Sequence, residues 1–305
     1  MSKIKITILG TTAGVPTKER AHAAIHFSYK DREEYCCLFD CGEGTQRQFL
    51  YGGLSMMKID EIFITHWHGD HCLGLPGFLD TMGFEGRLEA VTVFAPNAKR
   101  VKALFQFGHS IGKFKVIPQK VPVRGECMKK IFAKERFEIF SIPVRHSIPA
   151  VAYAFIEKDK RVIDMDKAAK LGFPEKGEIF KKLKAEGKTV LDGKEIYFED
   201  VSHIVKGRKI VYSGDTEICP NLEKFIRDAD LLIQDCTYFD KKAEKKPYKH
   251  ASFPEILKMV RENNVKRTIL THIGRKYRDR MDEIRDQVSQ YEGFEIAEDF
   301  LQVEI

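Results

Sequence analysis

Hydrophobic and polar positions alternate at the start of the chain, with Lys3, Lys5 and Thr7 set against Ile4, Ile6 and Ile8. A period of two predicts a strand and not a secretory leader, which needs an unbroken apolar stretch. Short apolar runs rich in β-branched residues predict further strands at 62–65, 91–94, 137–142, 151–156, 209–213, 231–234 and 268–271. Helical spacing falls between them at 98–107, 223–228 and 279–291. Another helix begins in SFPEIL, where Ser252 stands at a cap position and Glu255 three residues on, as in a capping box. This alternation predicts an α/β fold.

One pattern recurs. An apolar strand ends and metal-type residues begin: IFIT then His66, KIVYSG then Asp215, TILT then His272. Groups at the carboxyl ends of strands face the crevice that α/β sheets use for ligands. The densest case is ITHWHGDHCLGLPGFL, which holds His66, His68, Asp70 and His71 within six positions. A helix would split His68 from His66 and Asp70, and Gly69 and Gly74 disfavour one. A strand end flowing into a tight loop is expected, with a helix starting near Gly74, Pro76 and Gly77.

Burying so many ionisable groups without a cation would be costly. Imidazole and carboxylate ligands suit zinc or a similar first-row divalent ion. Four ligands from one loop exceed what one open catalytic zinc takes, so two adjacent ions explain the crowding better. One would take His66 and His68, the other Asp70 and His71. His146, Asp215 and His272, each after a predicted strand, are candidates for the remaining positions, and a carboxylate such as Asp215 can bridge. His22, His26, His109 and His203 read as ordinary surface or polar-core residues.

Composition adds limits. The chain has 305 residues, a formal charge of +6 and seven scattered cysteines. That is long enough for one large core or two smaller ones. The odd cysteine count without framework spacing argues for reduced thiols. No apolar run reaches membrane-spanning length, and a cytoplasmic location without membrane partners is expected. The charge permits a polyanionic partner without demanding one. Residues 157–200 differ from the rest: lysine-rich, highly charged and poor in β-branched residues. They read as a solvated insertion or as an arm reaching a partner.

ITHWHGDH resembles the signature of the metallo-β-lactamase superfamily. LGTTAGVPTKER, LFDCGEGTQRQF, the G-L-P-G tail, VRHSIPAVAY, GRKIVYSGDT, KHAS and LTHIGRKY extend the resemblance to the ribonuclease Z family over most of the chain. The resemblance implies a four-layer αβ/βα sandwich over residues 1–305, with a flexible tRNA-binding arm inserted at 157–200. It implies two zinc ions per subunit, with manganese or iron as alternatives. His66, His68 and His146 would hold one ion, Asp70, His71 and His272 the other, and Asp215 would bridge. Asp40 would orient a ligand histidine, Asp70 the attacking hydroxide, and His250 would assist the leaving oxygen. Without the resemblance, His250 reads as a solvated residue of a lysine-rich loop.

Gly172, Pro174 and Gly177 match the arm's Gly-Pro block, although its Gly-Pro dipeptide is here Lys176-Gly177. Ala152, Gly274 and Glu217 also depart from the family pattern. The implied activity is removal of 3′ trailers from precursor tRNA by a homodimer, leaving a 3′-hydroxyl. The alternative is hydrolysis of small phosphodiesters, or of sulfate esters as in arylsulfatase-like relatives.

Overall fold

The computed structural model describes residues 2–104, 114–240 and 249–305. The predicted helix at 98–107 appears as Lys99–Leu104, and its end, with His109, lies outside the described residues. The chain divides into two compact units. One comprises Met1–Ala133, Ile139–Phe155 and Lys209–Ile305, the other Lys134–Glu138 and Ile156–Arg208.

Two seven-stranded sheets organise the first unit. In the first sheet the order is Gln302–Glu304, Lys3–Gly10, Ala24–Lys30, Glu34–Phe39, Ile59–Phe63, Val91–Ala95, Val116–Lys120. Its first pairings are antiparallel, and those from Glu34–Phe39 onward are parallel. In the second sheet the order is Phe294–Ile296, Thr268–Thr271, Leu231–Asp235, Lys209–Tyr212, Ala150–Glu157, Phe137–Val144, Lys129–Ala133. There Lys209–Tyr212, Leu231–Asp235, Thr268–Thr271 and Phe294–Ile296 pair in parallel. Parallel strands read as continuous apolar runs because both faces are buried.

Side-chain alternation sets the layers. Phe27, Phe39 and Phe63 point inward and meet rings of the second sheet, with Phe27–Phe155 at 4.6 Å and Phe63–Tyr153 at 5.6 Å between centroids. Leu38, Ile62 and Ile64, one position out of phase, join Phe49, Phe78, Leu79 and Met82 from the helices Thr45–Tyr51 and Leu75–Phe84. On the second sheet the helix Phe253–Glu262 lays Phe253 against Phe294 at 5.8 Å. Each fully buried phenylalanine contributes roughly 1.5–3 kcal/mol of transfer free energy. Helices therefore cover the outsides of two facing sheets, which is the metallo-β-lactamase sandwich. The capping box is present, with Ser252 N–H donating to the Glu255 carboxylate at 3.0 Å.

The second unit has its own small core of Ala168, Phe173, Leu183, Ile196 and Val201. Two short antiparallel pairs, Lys160–Ile163 with Ser202–Val205 and the hairpin Lys188–Leu191 with Lys194–Tyr197, accompany helices Met165–Lys170 and Glu178–Glu186. Its ends are clasped: Glu157 N–H donates to Arg208 O at 2.9 Å, and the Arg208 guanidinium pairs with Glu157 at 2.8 Å. Gly172, Pro174 and Gly177 lie between its helices, both glycines at positive φ. Among the described residues, no helix is long and apolar enough to cross a membrane.

Candidate metal centre

The strand Ile59–Phe63 delivers the chain to Thr65 and His66, and His68 is extended at φ −73° and ψ 150°. The expected loop is partly replaced: Gly69–Cys72 forms one helical turn. Tertiary pairing overrides the glycine penalty there, since Cys41 N–H donates to His71 O at 2.8 Å and Gly74 N–H to Cys41 O at 3.0 Å. A Cβ at Gly74 would stand 1.9 Å from Gly42 O, so the G-L-P-G tail can press on the FDCGEG loop only as glycine. The helix Leu75–Phe84 follows with Pro76 in its first turn, where its missing N–H costs nothing.

The ends of other strands complete the cluster. His66, His68, His146 and Asp215 form one group and Asp70, His71, Asp215 and His272 a second, the ligand atoms within each lying inside 4.8 Å of one another. His66 Nε2 and His146 Nε2 each stand 3.0 Å from His68 Nδ1. Asp215 Oδ1 is 3.2 Å from His71 Nε2, while its Oδ2 is 3.2 Å from His272 Nε2 and 3.6 Å from His66 Nε2. Asp70 Oδ2 lies 3.4 Å from His272 Nε2 and accepts Gly14 N–H at 2.9 Å.

These residues fit a pair of divalent cations. Three ring nitrogens converge at hydrogen-bond distance although each neutral imidazole has one proton to share. His71 Nε2 is buried and makes no well-formed hydrogen bond among the described residues. A nitrogen–carboxylate donor set around a shared aspartate suits first-row divalent ions.

Two buried aspartates stand behind the cluster. Asp40, fully buried, takes His71 Nδ1–H at 2.7 Å, Thr65 N–H at 2.7 Å and the Tyr212 hydroxyl at 2.8 Å. Asp235 takes His250 Nδ1–H at 2.7 Å, with Thr216 N–H and Thr237 N–H at 3.0 and 3.1 Å. His250 is buried, not solvated, and its ring centroid is 4.9 Å from that of His146 and 5.0 Å from that of His272. Together with Asp235, a further group forms from Asp215, His250 and His272.

Sequence reasoning missed Asp235, Thr65, Thr237 and Tyr212. The signal for Asp235 was present, since LLIQD ends a strand on a carboxylate just as KIVYSGD nearly does.

Electrostatics divide the imidazoles. Burial pushes His66 well below its usual range, His68 below it, and His146 down to about 4. Burial opposes charge on His71 and His272 too, but carboxylates win. Asp215 and Asp40 hold His71 well up, and Asp215, Asp235 and Asp70 raise His272 to about 10. His250 is likewise raised against burial, by Asp235. Asp70, Asp215 and Asp235 all stay below the carboxylate range despite burial, held there chiefly by His272 for the first two and by His250 for Asp235.

The remaining histidines have separate settings. His26 is buried edge-on to Phe49 at 5.7 Å. His22 is half-buried, 3.8 Å from Glu43, and His203 pairs loosely with Asp164 at 3.7 Å.

Comparison with known proteins matches residues 4–106 to the family described as Anti-Pycsar protein Apyc1 and residues 153–273 to the Beta-lactamase superfamily domain. The chain is 39% identical over 283 residues to Ribonuclease Z of Methanococcus maripaludis strain C5, covering 90% of this chain and 87% of the relative. It is 35% identical to Ribonuclease Z of Methanosarcina acetivorans over 309 residues, 99% of this chain and 98% of the relative. The crystal structure of human tRNase Z, short form, superposes with a TM-score of 0.68 at 24% identity, covering 98% of each chain.

Proposed function

Because the chain belongs to the ribonuclease Z family, we propose that it is a metal-dependent endoribonuclease that removes 3′ trailers from precursor tRNA and leaves a 3′-hydroxyl. The observation that carries this is the meeting of seven histidine and aspartate side chains in two groups that share Asp215. His66, His68 and His146 would hold one zinc ion and Asp70, His71 and His272 the other, with Asp215 between them. When bound, such a pair supplies Lewis acidity toward the phosphate and lowers the pKa of a water molecule toward neutrality.

The chain's own groups do the rest. Asp70, steadied by Gly14 N–H, orients the attacking water in line with the scissile bond. His250 holds its Nδ1 proton against Asp235, which leaves Nε2 to serve the reaction. Asp235 raises the pKa of His250 against burial, the direction that favours the protonated form a general acid needs. The P–O3′ bond breaks, the phosphate stays with the trailer, and the proton from Nε2 completes the tRNA 3′-hydroxyl.

Residues 157–200, with Gly172, Pro174 and Gly177 shaping the turn between helices, serve as a tRNA-holding arm. Its lysines grip phosphates without reading sequence. A homodimer, one subunit's arm serving the other's site, belongs to the same reading, and sedimentation tests it.

The decisive experiment maps the cut on a precursor tRNA with a 3′ trailer, with and without chelator. A chelator-sensitive cut after the discriminator nucleotide is expected. Cleavage confined to bis-p-nitrophenyl phosphate overturns the reading in favour of a small-phosphodiester hydrolase. Deleting the arm should cost tRNA cleavage, and unchanged cleavage refutes the arm's role.

A further inference from the structure

The same three-part device occurs on both sheets. Thr65 Oγ1 lies 2.8 Å from Asp40 Oδ2 and 3.0 Å from His66 Nδ1. Thr237 Oγ1 lies 2.7 Å from Asp235 Oδ1 and 2.9 Å from His272 Nδ1. All six residues are buried.

A hydroxyl has one hydrogen to give, and a carboxylate with several N–H and O–H donors already turned toward it can only accept. The threonine proton therefore points to the aspartate. The oxygen lone pair that remains accepts Nδ1–H from the histidine. Each threonine thus keeps a proton on Nδ1 of its histidine, so that Nε2 is the nitrogen whose lone pair a metal can take. Those Nε2 atoms are the ones facing the shared aspartate, at 3.6 Å for His66 and 3.2 Å for His272.

We propose that Thr65 and Thr237 are positioning residues that set the metal-binding tautomer of His66 and His272, one in each ligand group. The inference rests on the two-metal reading above. It also makes Asp40 a common support, acting on His71 directly and on His66 through Thr65. The packing is adapted to this, because a Cβ at Gly214 would stand 2.8 Å from the Thr65 side chain.

The test is zinc titration of chelator-stripped protein against a chromophoric competitor. Wild type should take two ions. Thr65→Val and Thr237→Val keep the shape and remove the hydroxyl, and each should weaken one of the two ions by about 10- to 100-fold, the range for lost outer partners of metal ligands. The double variant should weaken both, and Thr→Ser at either position should restore affinity. Valine variants that bind both ions as tightly as wild type overturn the proposal. Should a valine variant not fold, Thr→Ser and Thr→Ala are read against each other by the same rule. A wild type that binds fewer than two ions overturns the two-metal reading instead.

Discussion

Asp235 and His250 are joined at 2.7 Å within the fold's interior, although 15 residues apart in sequence. The contact turns a histidine from a lysine-rich loop into one with a fixed orientation. His250→Ala should lower single-turnover cleavage of precursor tRNA by about 10²- to 10⁴-fold, the range for a general acid. Metal content, checked by elemental analysis, should not change. Simultaneous loss of metal would reassign His250 as a structural residue.

Asp70→Ala should abolish turnover while leaving tRNA affinity within a fewfold of wild type in a filter-binding assay. Loss of binding and turnover together would mean that the cluster only supports the fold.

Metal removal should be visible as proton exchange. Neighbouring carboxylates raise His272 to about 10 and hold His71 well above its usual range. At pH 8 His272 then carries a proton on the nitrogen that faces the cluster. Loading zinc into stripped protein should displace it, since ligands bind deprotonated. A weakly buffered solution with an indicator dye should acidify on loading, and the absence of proton release contradicts this assignment.

His26 predicts an acid-side loss of stability. Burial lowers its folded pKa to about 4, while unfolded histidine titrates near 6.5. The unfolded chain binds the extra proton in between, so this contribution is fully present above pH 6.5 and is lost as pH falls toward 4. The cost is about 1.4 kcal/mol per pH unit across that window. Stripped wild type should lose stability relative to His26→Leu between pH 6.5 and 4.5 in denaturant titrations. A pH-independent difference contradicts the burial account.

Ser252→Ala should destabilise the protein by about 1 kcal/mol, because the first turn of Phe253–Glu262 loses the hydroxyl half of its capping box while the residue 252 N–H bond to Glu255 remains. Equilibrium unfolding measures this directly, and no change would show that the cap is solvent-replaced.

Much of the arrangement was legible because strands buried on both faces advertise themselves. The runs at 209–213, 231–234 and 268–271 reappear within a residue or so of their observed ends. The cluster at His66 to His71 was legible as chemistry for the same reason, being too costly to bury otherwise. The helical turn at Gly69–Cys72 was not, since contacts with Cys41, distant in sequence, decide it. Asp235 ends the strand LLIQD on a carboxylate, but a single carboxylate with no histidine beside it in sequence does not show which histidines it will meet. The strand pairs of the second unit were hidden too: lysines and glutamates mask a strand that is buried on one side at most, as at Lys188–Leu191.

The clasp between Glu157 and Arg208 also bears on descent. A segment whose ends are held together changes length at little thermodynamic cost, each doubling adding only about 0.6 kcal/mol of closure entropy. Mutation can therefore lengthen, trim or exchange everything between these residues while the ligand-bearing strands, all numbered outside it, keep their register. What this segment touches can change while the geometry of the cluster is kept.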